Sequence, residues 1–294
     1  MELLEGVYDL HVHSAPDVLP RLMDDLEMGR RIIDCGMAGY AIKSHYFCTA
    51  ERAQLIKKLY PACDAIGAIT LNSSTGGINP AAVEMAARAG AKLVWFPTCD
   101  SAHERKYVFS GKPGRKLPYW AQIVIEMKEE GISVPVINII DNKGKLSDTV
   151  ITVLDIIAKY NMILATGHIS HEECFTLVKE AHSRGIKNII ITHVDFPTTF
   201  YTIDEQLKLS KYGAIMEHCY TTWATGKIDI ETSLSQIKAL GSQRVIIATD
   251  LGQKTSIYPD EGMKAYMLKL LEAGISENDI RTMCVHNQRR LLGK

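Results

Sequence analysis

The feature that most constrains the fold of this chain is a regular alternation of short apolar runs, rich in β-forming residues, with longer amphipathic stretches of helical period. The alternation continues from one end of the sequence to the other and predicts parallel strands joined by helices. Eight strands are predicted, at residues 7–13, 39–45, 65–71, 92–97, 162–168, 188–193, 214–219 and 244–250. Eight strand–helix units in about 250 residues match a closed (β/α)8 TIM barrel. An open doubly wound sheet is the alternative, but no glycine-rich nucleotide-binding motif follows the first strand.

Several helix starts and ends can be read directly from the sequence. The predicted N-terminal caps and capping boxes are Asp24, Asn79 before Pro80, Ser170 with Glu173, and Thr202 with Glu205. These residue types satisfy the free amides of a first helical turn. They support helices between the predicted strands.

The connection between the fourth and fifth strands is too long for a single helix. Residues 99–118 form a basic stretch with glycine and proline, which we interpret as a loop. A helix near 119–130 and a small hairpin from about 134 to 144 should follow. We therefore predict a distorted α/β barrel with an insertion at about 99–146, in a single domain that spans 1–294.

Composition excludes several classes of protein. With 294 residues, of which 46% are hydrophobic, the chain can bury a full core. The 33 basic and 34 acidic residues leave a net charge of -1, so neither nucleic acid nor a membrane is an expected partner. No secretory signal or long apolar run is evident, which predicts a cytoplasmic protein. The seven cysteines are scattered without a CxxC pair, as expected of reduced thiols.

The first predicted strand carries the most informative motif, Val7-Tyr-Asp-Leu-His-Val-His13. Because side chains alternate across a strand, His11 and His13 should share one face with Asp9, and positions 8, 10 and 12 should face the helices. Two imidazoles would then point into the mouth of the barrel, where they could bind one metal ion.

Three other predicted strands end in a potential metal ligand. His168 closes the fifth strand, His193 the sixth and Asp250 the eighth. Each follows an apolar run and lies at the carboxyl end of its strand, where barrel enzymes place their chemistry. Any one of these residues could merely cap a helix, but four strands that end in this way predict a metal site.

This ordered set resembles the metal-site pattern of the amidohydrolase superfamily. The C-terminal Val285-His-Asn-Gln-Arg-Arg-Leu-Leu-Gly293 is similar to a frequent ending of its members, and Ser14-Ala-Pro-Asp17 is similar to its uncharacterised amidohydrolase-related hydrolases. The resemblance covers nearly the whole chain. It implies a metal-dependent hydrolase on a distorted (β/α)8 barrel, and it does not imply a substrate.

One departure from the superfamily concerns the number of metals. Two-metal members usually carry a bridging lysine or glutamate at the end of strand four, which here reads Leu93-Val-Trp-Phe-Pro-Thr98. We therefore expect one divalent metal held by His11, His13, His168 and Asp250, with His193 as a further ligand or beside the bound water. The histidine-rich set favours Zn²⁺, and Mn²⁺, Fe²⁺ or Co²⁺ would suit the same donors. The alternative is a bridge from strand two, with Lys43 as a carbamate.

Candidate substrate-binding residues surround this site. Lys43 and His45 share a face at the top of strand two, where they could hold an anionic group or form a solvated pair at the rim. In the first loop, Arg21 could bind a substrate carboxylate or pair with a surface carboxylate, and Asp17 also lies near the mouth.

Two further regions offer candidates. Glu217 and His218 end strand seven on opposite faces, so one of them should point inward. His103 belongs to the basic loop, together with Arg105, Lys106, Lys112, Arg115 and Lys116. That loop could close over an anionic substrate, although a solvated loop is the simpler interpretation.

The predicted activity is hydrolysis of an amide, cyclic amide, ester or lactone bond of a small molecule, an anionic one included, by a metal-activated water. Asp250 would move the proton, and His193 with the metal would stabilise the oxyanion. The rival hypotheses are a metal-dependent decarboxylase, a phosphoesterase, and a metal-containing binding module without catalysis. A homo-oligomer remains open.

Overall fold

The structure, a computed structural model, describes residues 3–111 and 117–294. Its strands are β1 (Tyr8–Val12), β2 (Gly39–Ile42), β3 (Asp64–Ile66), β4 (Ala68–Thr70), β5 (Leu93–Trp95), β6 (Ile163–Ala165), β7 (Ile189–Ile191), β8 (Ile215–Cys219) and β9 (Val245–Ala248). All the pairings between them are parallel. The predicted third strand is divided at Gly67 into β3 and β4.

Helices fill the connections between the strands. They are α1 (Asp25–Asp34), α2 (Ala50–Leu59), α3 (Pro80–Arg88), α4 (Ala102–Val108), α5 (Tyr119–Glu129), α6 (Asp148–Lys159), α7 (His171–Ser183), α8 (Ile203–Ser210), α9 (Tyr220–Ala224), α10 (Ile230–Leu240), α11 (Pro259–Glu272), α12 (Glu277–Arg281) and α13 (Asn287–Leu291). A π-helical turn, Thr282–His286, joins the last two. Both predicted capping boxes are present, as are the side-chain caps at Asp24 and Asn79.

Strand order follows chain order around the molecule. One sheet has the order β1-β2-β3 and the other runs from β4 to β9. The last strand meets the first through two backbone hydrogen bonds, from the Asp250 amide to the His11 carbonyl (2.9 Å) and from the His13 amide to the Leu251 carbonyl (2.8 Å). The predicted (β/α)8 barrel architecture is confirmed.

Two apolar layers hold the barrel together. The inner cluster contains Tyr8, Leu10, Ala41 and Trp95, and a larger outer cluster lies between the strands and the helices. The prediction that positions 8 and 10 face the helices was therefore wrong. The pairing of β1 with β2 shifts register between Asp9 and Val12, so the alternation is interrupted before His11 is reached.

Asp9, which was expected to share a face with His11 and His13, instead links β1 to β9 through its carboxylate. It accepts hydrogen bonds from the hydroxyl (2.5 Å) and amide (3.1 Å) of Thr249 and from the His11 amide (3.1 Å). Complete burial raises the pKa of Asp9 to about 7. Asp9 is a structural residue beneath the strand ends.

The C-terminal helix closes the amino end of the barrel. Leu291 of α13 belongs to the inner cluster. The Asn287 side chain donates to the carbonyls of Ser242 and Val245, both at 2.8 Å, and Gln288 donates to the carbonyl of Ile247 at 2.6 Å. The ending that suggested the superfamily thus has a packing role.

The long connection between β5 and β6 contains α4, α5 and α6. Helix α4 lies within 99–118, so the interpretation of that whole stretch as a loop was wrong. Ser101 starts α4 by accepting a hydrogen bond from the Glu104 amide (3.0 Å). Helix α5 lies where it was predicted, and the expected hairpin is reduced to one antiparallel bridge between Ile140 and Leu146. Lys112, Arg115 and Lys116 lie outside the described residues.

Two further expectations can be compared with the structure. All seven cysteines are free thiols. Within 3–111 and 117–294, no helix has both the length and the apolar character needed to cross a bilayer.

Candidate metal centre and pocket

The five predicted metal ligands converge at the carboxyl ends of the strands. The ring centroids of His11 and His193 are 4.8 Å apart, and those of His168 and His193 are 5.4 Å apart. His193 Nε2 lies 3.7 Å from Asp250 Oδ2. Residues from four separate strands therefore form one continuous cluster.

The tightest part of the cluster consists of His11, His13 and Asp250. Oδ1 of Asp250 lies 3.1 Å from Nε2 of His11 and 3.2 Å from Nε2 of His13. One ligand atom from each residue lies within 4.8 Å of the other two. Two imidazole nitrogens and a carboxylate oxygen with this geometry fit a divalent metal ion.

Backbone conformation sets two of these ligands apart from ordinary strand residues. His193 and Asp250 adopt left-handed conformations, with φ of 52° and 53°. Such conformations cost non-glycine residues about 1–3 kcal/mol and are concentrated at functional sites. Hydroxyl groups hold both turns, because Thr199 donates to the His193 carbonyl (2.6 Å) and Thr221 to the Asp250 carbonyl (2.9 Å).

Two glycines allow the strand ends to approach one another. A Cβ atom on Gly252 would lie 1.6 Å from the carbonyl oxygen of His13, and one on Gly167 would lie 2.2 Å from that of Phe96. Glycine is therefore required beside both His13 and His168.

Glu217 lies behind the cluster rather than in contact with the pocket. Its Oε1 is 3.1 Å from His11 Nδ1, and its Oε2 accepts a hydrogen bond from the His193 amide at 3.2 Å. When Nδ1 of His11 donates to this carboxylate, the lone pair of Nε2 is available to a metal or to the Lys43 ammonium, which lies 2.7 Å away. Glu217 and Cys219 also form a buried ligand-type group with His11 and His193. Because its two oxygens contact the His11 ring and the His193 amide, we assign Glu217 a positioning role.

His168 has a carboxylate neighbour that the sequence analysis missed. Nδ1 of His168 lies 3.3 Å from Oε2 of Glu104, which projects from α4. Among the described residues, neither ring nitrogen of His168 nor Nδ1 of His193 has a hydrogen-bond partner. Buried nitrogens are normally paired. Unpaired nitrogens beside an ionised carboxylate are suited to metal binding.

Burial and charge determine the protonation of the cluster. Burial holds the pKa values of His13 and His193 well below the usual range for histidine. Burial would raise the pKa of Asp250, but the neighbouring His11, His13 and His193 hold it well below its ordinary value. Burial and Lys43 lower the pKa of His11, whereas Glu217 and Asp250 raise it more. Neutral imidazoles and an ionised carboxylate are the forms that bind metal.

Lys43 and His45 both line the cavity, as predicted for the end of strand two. Nζ of Lys43 is 2.7 Å from His11 Nε2 and 5.0 Å from the centre of the Trp95 ring. Its side chain is buried, and burial lowers its pKa. Nδ1 of His45 lies 2.9 Å from the Thr98 hydroxyl. Lys43 is therefore part of the central cluster, and the alternative, a solvated residue at the rim, does not fit its burial.

Arg21 and Asp17 form an ion pair beside the cluster. The Arg21 Nε donates to Asp17 Oδ2 at 2.7 Å, and Nη2 of Arg21 is 3.2 Å from Nδ1 of His13. The two side chains are only 4% and 0% exposed, so this is a buried pair. Because the Asp17 carboxylate already neutralises the guanidinium, Arg21 is poorly placed to neutralise a substrate.

The last two candidates lie away from the cavity. Nδ1 of His218 is 2.8 Å from Oδ2 of Asp195, in a fully buried cluster on the other side of β8. Nε2 of His103 is 2.6 Å from the carbonyl oxygen of Thr198. Neither histidine is among the residues that line the cavity.

The cluster forms the floor of a cavity of about 640 Å³. Aromatic and apolar side chains from the long connection and the strand loops form much of its wall, among them Leu19, Tyr107, Val108, Trp120 and Phe196. Lys227, which follows α9, also reaches this wall. A second cavity, of about 600 Å³, lies beneath α5, and Trp120 borders both.

Comparisons with known proteins agree with this fold. A model described as "Family of unknown function (DUF6282)" matches residues 6–217. Comparison with curated proteins gave no match. An amidohydrolase from Pseudomonas aeruginosa is 11% identical with a TM-score of 0.60, over 99% of this chain and 96% of that one. A probable dipeptidase from Pseudomonas aeruginosa is 11% identical with a TM-score of 0.61, over 98% and 94%. A lactonase from Listeria monocytogenes is 12% identical with a TM-score of 0.58, over 99% and 95%. The fold expected from the amidohydrolase resemblance is confirmed.

Proposed function

Because this chain belongs to the family of unknown function DUF6282, we propose its activity from the site itself: the protein is a metal-dependent hydrolase of small molecules. The bond cleaved is an amide, cyclic amide, ester or lactone. Proteins described as an amidohydrolase, a probable dipeptidase and a lactonase share the fold, which supports this reaction class.

The observation that carries the proposal is the convergence of the two Nε2 atoms of His11 and His13 on Oδ1 of Asp250. His168 and His193, which keep ring nitrogens without a hydrogen-bond partner among the described residues, line the same cavity as His13 and Asp250. A site built only for stability would pair these nitrogens. We propose one Zn²⁺ here, with Mn²⁺, Fe²⁺ or Co²⁺ as alternatives that the same donors accept.

A divalent ion bound at this position supplies a Lewis acid and lowers the pKa of water. Asp250 is the proposed proton shuttle, because its carboxylate is ionised and about 15% exposed to the cavity. It accepts a proton from the attacking water and returns it to the leaving group. His193 lies next to its second oxygen and helps to hold the oxyanion.

The test is metal analysis combined with a screen of lactones, cyclic amides, N-acyl amino acids and aromatic carboxylates. We expect about one divalent metal per chain, hydrolysis of at least one class, and loss of activity on chelation. His11→Ala and His168→Ala should both lose metal. His182→Ala is the matched control, because His182 is exposed and its ring contacts the carbonyl oxygen and the ring of Tyr212, away from the cavity.

Unchanged metal content in both ligand variants would contradict the site assignment. Release of carbon dioxide from an aromatic carboxylate would identify a decarboxylase instead. Metal content also distinguishes the two roles of Lys43. Lys43→Met should keep one metal and lower kcat/KM, whereas a fall from two metals to one would identify Lys43 as a bridging ligand.

A further inference from the structure

We propose that Lys227 determines the substrate class: the substrate carries a carboxylate that binds the Lys227 ammonium, and its apolar body lies against Phe196. This inference rests on the proposed hydrolase function. It specifies the groups of the substrate that are bound but not hydrolysed.

Arg21 and Lys43, the other lysine and arginine side chains among the described residues of the cavity wall, are already engaged. Arg21 is paired with the buried carboxylate of Asp17. Lys43 is held in the central cluster, 2.7 Å from His11 Nε2. Lys227 also lines the cavity, and within the described ranges it forms no ion pair with a carboxylate.

The position of Lys227 suits it to meet a bound molecule. It lies three residues beyond α9, in the loop that follows β8, at the same end of the barrel as the metal ligands. Its Nζ is 4.5 Å from the centre of the Phe196 ring. Burial lowers the pKa of Lys227, while Asp250 and Glu104 raise it, so the ammonium shares one electrostatic environment with the cluster. Lys227 is exposed at the surface, so a carboxylate that enters the cavity can reach its ammonium and accept a charge-assisted hydrogen bond from it.

The surrounding wall indicates what the carboxylate is attached to. Phe196 presents its ring beside Lys227, and Tyr107, Val108 and Trp120 continue the apolar surface across the cavity. Among the described residues that line the cavity, one ammonium outside the central cluster and without an ion pair matches the single charge of a carboxylate better than the double charge of a phosphate monoester. The geometry points to aromatic or aliphatic carboxylic acids that also contain the hydrolysed bond.

Binding measurements can test this without turnover. Phenylacetate and phenethyl alcohol share an aromatic body, contain no hydrolysable bond and differ in charge. We would measure the binding of each by calorimetry to the protein as purified, with its metal, for the wild type, Lys227→Met and Lys227→Arg. Lys254→Met is the matched control, because Lys254 is an exposed lysine on a neighbouring loop and does not line the cavity.

We expect the wild type to bind phenylacetate more tightly than phenethyl alcohol. Lys227→Met should weaken phenylacetate binding by roughly 10- to 100-fold, the range for a charged hydrogen-bond partner, and leave phenethyl alcohol binding unchanged. Lys227→Arg should restore most of the difference, and Lys254→Met should resemble the wild type.

Equal phenylacetate binding by the wild type and Lys227→Met would overturn the inference, as would no binding of phenylacetate to the wild type at millimolar concentration. These outcomes are independent of the hydrolase proposal. If the screen finds no hydrolysis but phenylacetate binding depends on Lys227, the proposed function fails and the anion site stands. If hydrolysis occurs and Lys227→Met changes neither KM nor phenylacetate binding, the proposed function stands and the anion site at Lys227 fails.

Discussion

The two ends of the barrel bury polar groups in opposite ways. At the amino end, the amides of Asn287 and Gln288 donate to strand carbonyls, and Leu291 fills the inner core. At the carboxyl end, His168 and His193 keep nitrogens without a hydrogen-bond partner in the part of the chain that the structure describes, and Asp250 has a left-handed backbone. At the amino end of the strands, the buried polar groups are therefore hydrogen-bonded and structural. At the carboxyl end, some of them keep donors or acceptors that a ligand could use.

This contrast predicts which substitutions should affect stability and which should affect activity. Unpaired buried groups and left-handed backbone cost folding free energy, and they persist only where the surrounding structure supports them. A substitution at the carboxyl end should mainly affect chemistry, whereas one at the amino end should mainly affect folding.

The largest expected effect belongs to Asp250→Asn. The amide keeps the size and one oxygen of the carboxylate but removes the base, so kcat should fall by roughly 10²–10⁴ while the midpoint of urea unfolding changes little. Asp204→Asn, at an exposed position on α8, is the control. Normal turnover in an Asp250→Asn protein that still binds its metal would assign the proton shuttle to another residue and weaken the contrast between the ends.

The residue types at the carboxyl end of the barrel could be predicted from the sequence better than those at the amino end. Each proposed ligand lies at or near the end of an apolar strand, and that pattern can be read without a structure. The directions of the side chains could not be read in the same way. Tyr8 and Leu10 lie inside the barrel, and the register shift between Asp9 and Val12 interrupts the alternation from which the directions of the later side chains were predicted.

The long connection between β5 and β6 contains a helix signal that was present in the sequence but missed. Ser101 and Glu104 have the spacing of a helix start, and the structure places α4 there with Glu104 against His168. Lys227 had no comparable signal. Its importance arises from Phe196 and from the pairing of Arg21 with Asp17, which are contacts between distant parts of the chain.

A second prediction tests the amino end. Leu291→Ala removes a side chain from the inner cluster and should lower the free energy of unfolding by about 2–5 kcal/mol, measured by urea denaturation. At a temperature where the variant stays folded, kcat should be within about twofold of the wild type, because Leu291 lies at the opposite end from the metal ligands. Leu268→Ala is the control, since Leu268 is 44% exposed. A large fall in kcat with normal stability would show that the two ends are coupled.

The smallest expected effect concerns the outer layer near the amino end, where Glu84 of α3 accepts hydrogen bonds from Arg88, Lys159 and Tyr160. The Tyr160 hydroxyl, followed by Arg88 and Lys159, lowers the pKa of Glu84 from 4.5 to about 2. The folded protein therefore holds the ionised form more strongly than the unfolded chain does. The resulting stability is fully present above about pH 4.5 and is lost as the pH falls towards about 2.

Glu84→Gln should consequently have a lower urea midpoint than the wild type at pH 6, and the difference should shrink steadily below about pH 4.5. Glu129→Gln, at the exposed end of α5, should show a smaller difference at every pH. A gap between Glu84→Gln and wild type that stays constant on acidification would mean that packing of the Glu84 side chain, and not its charge, stabilises this layer.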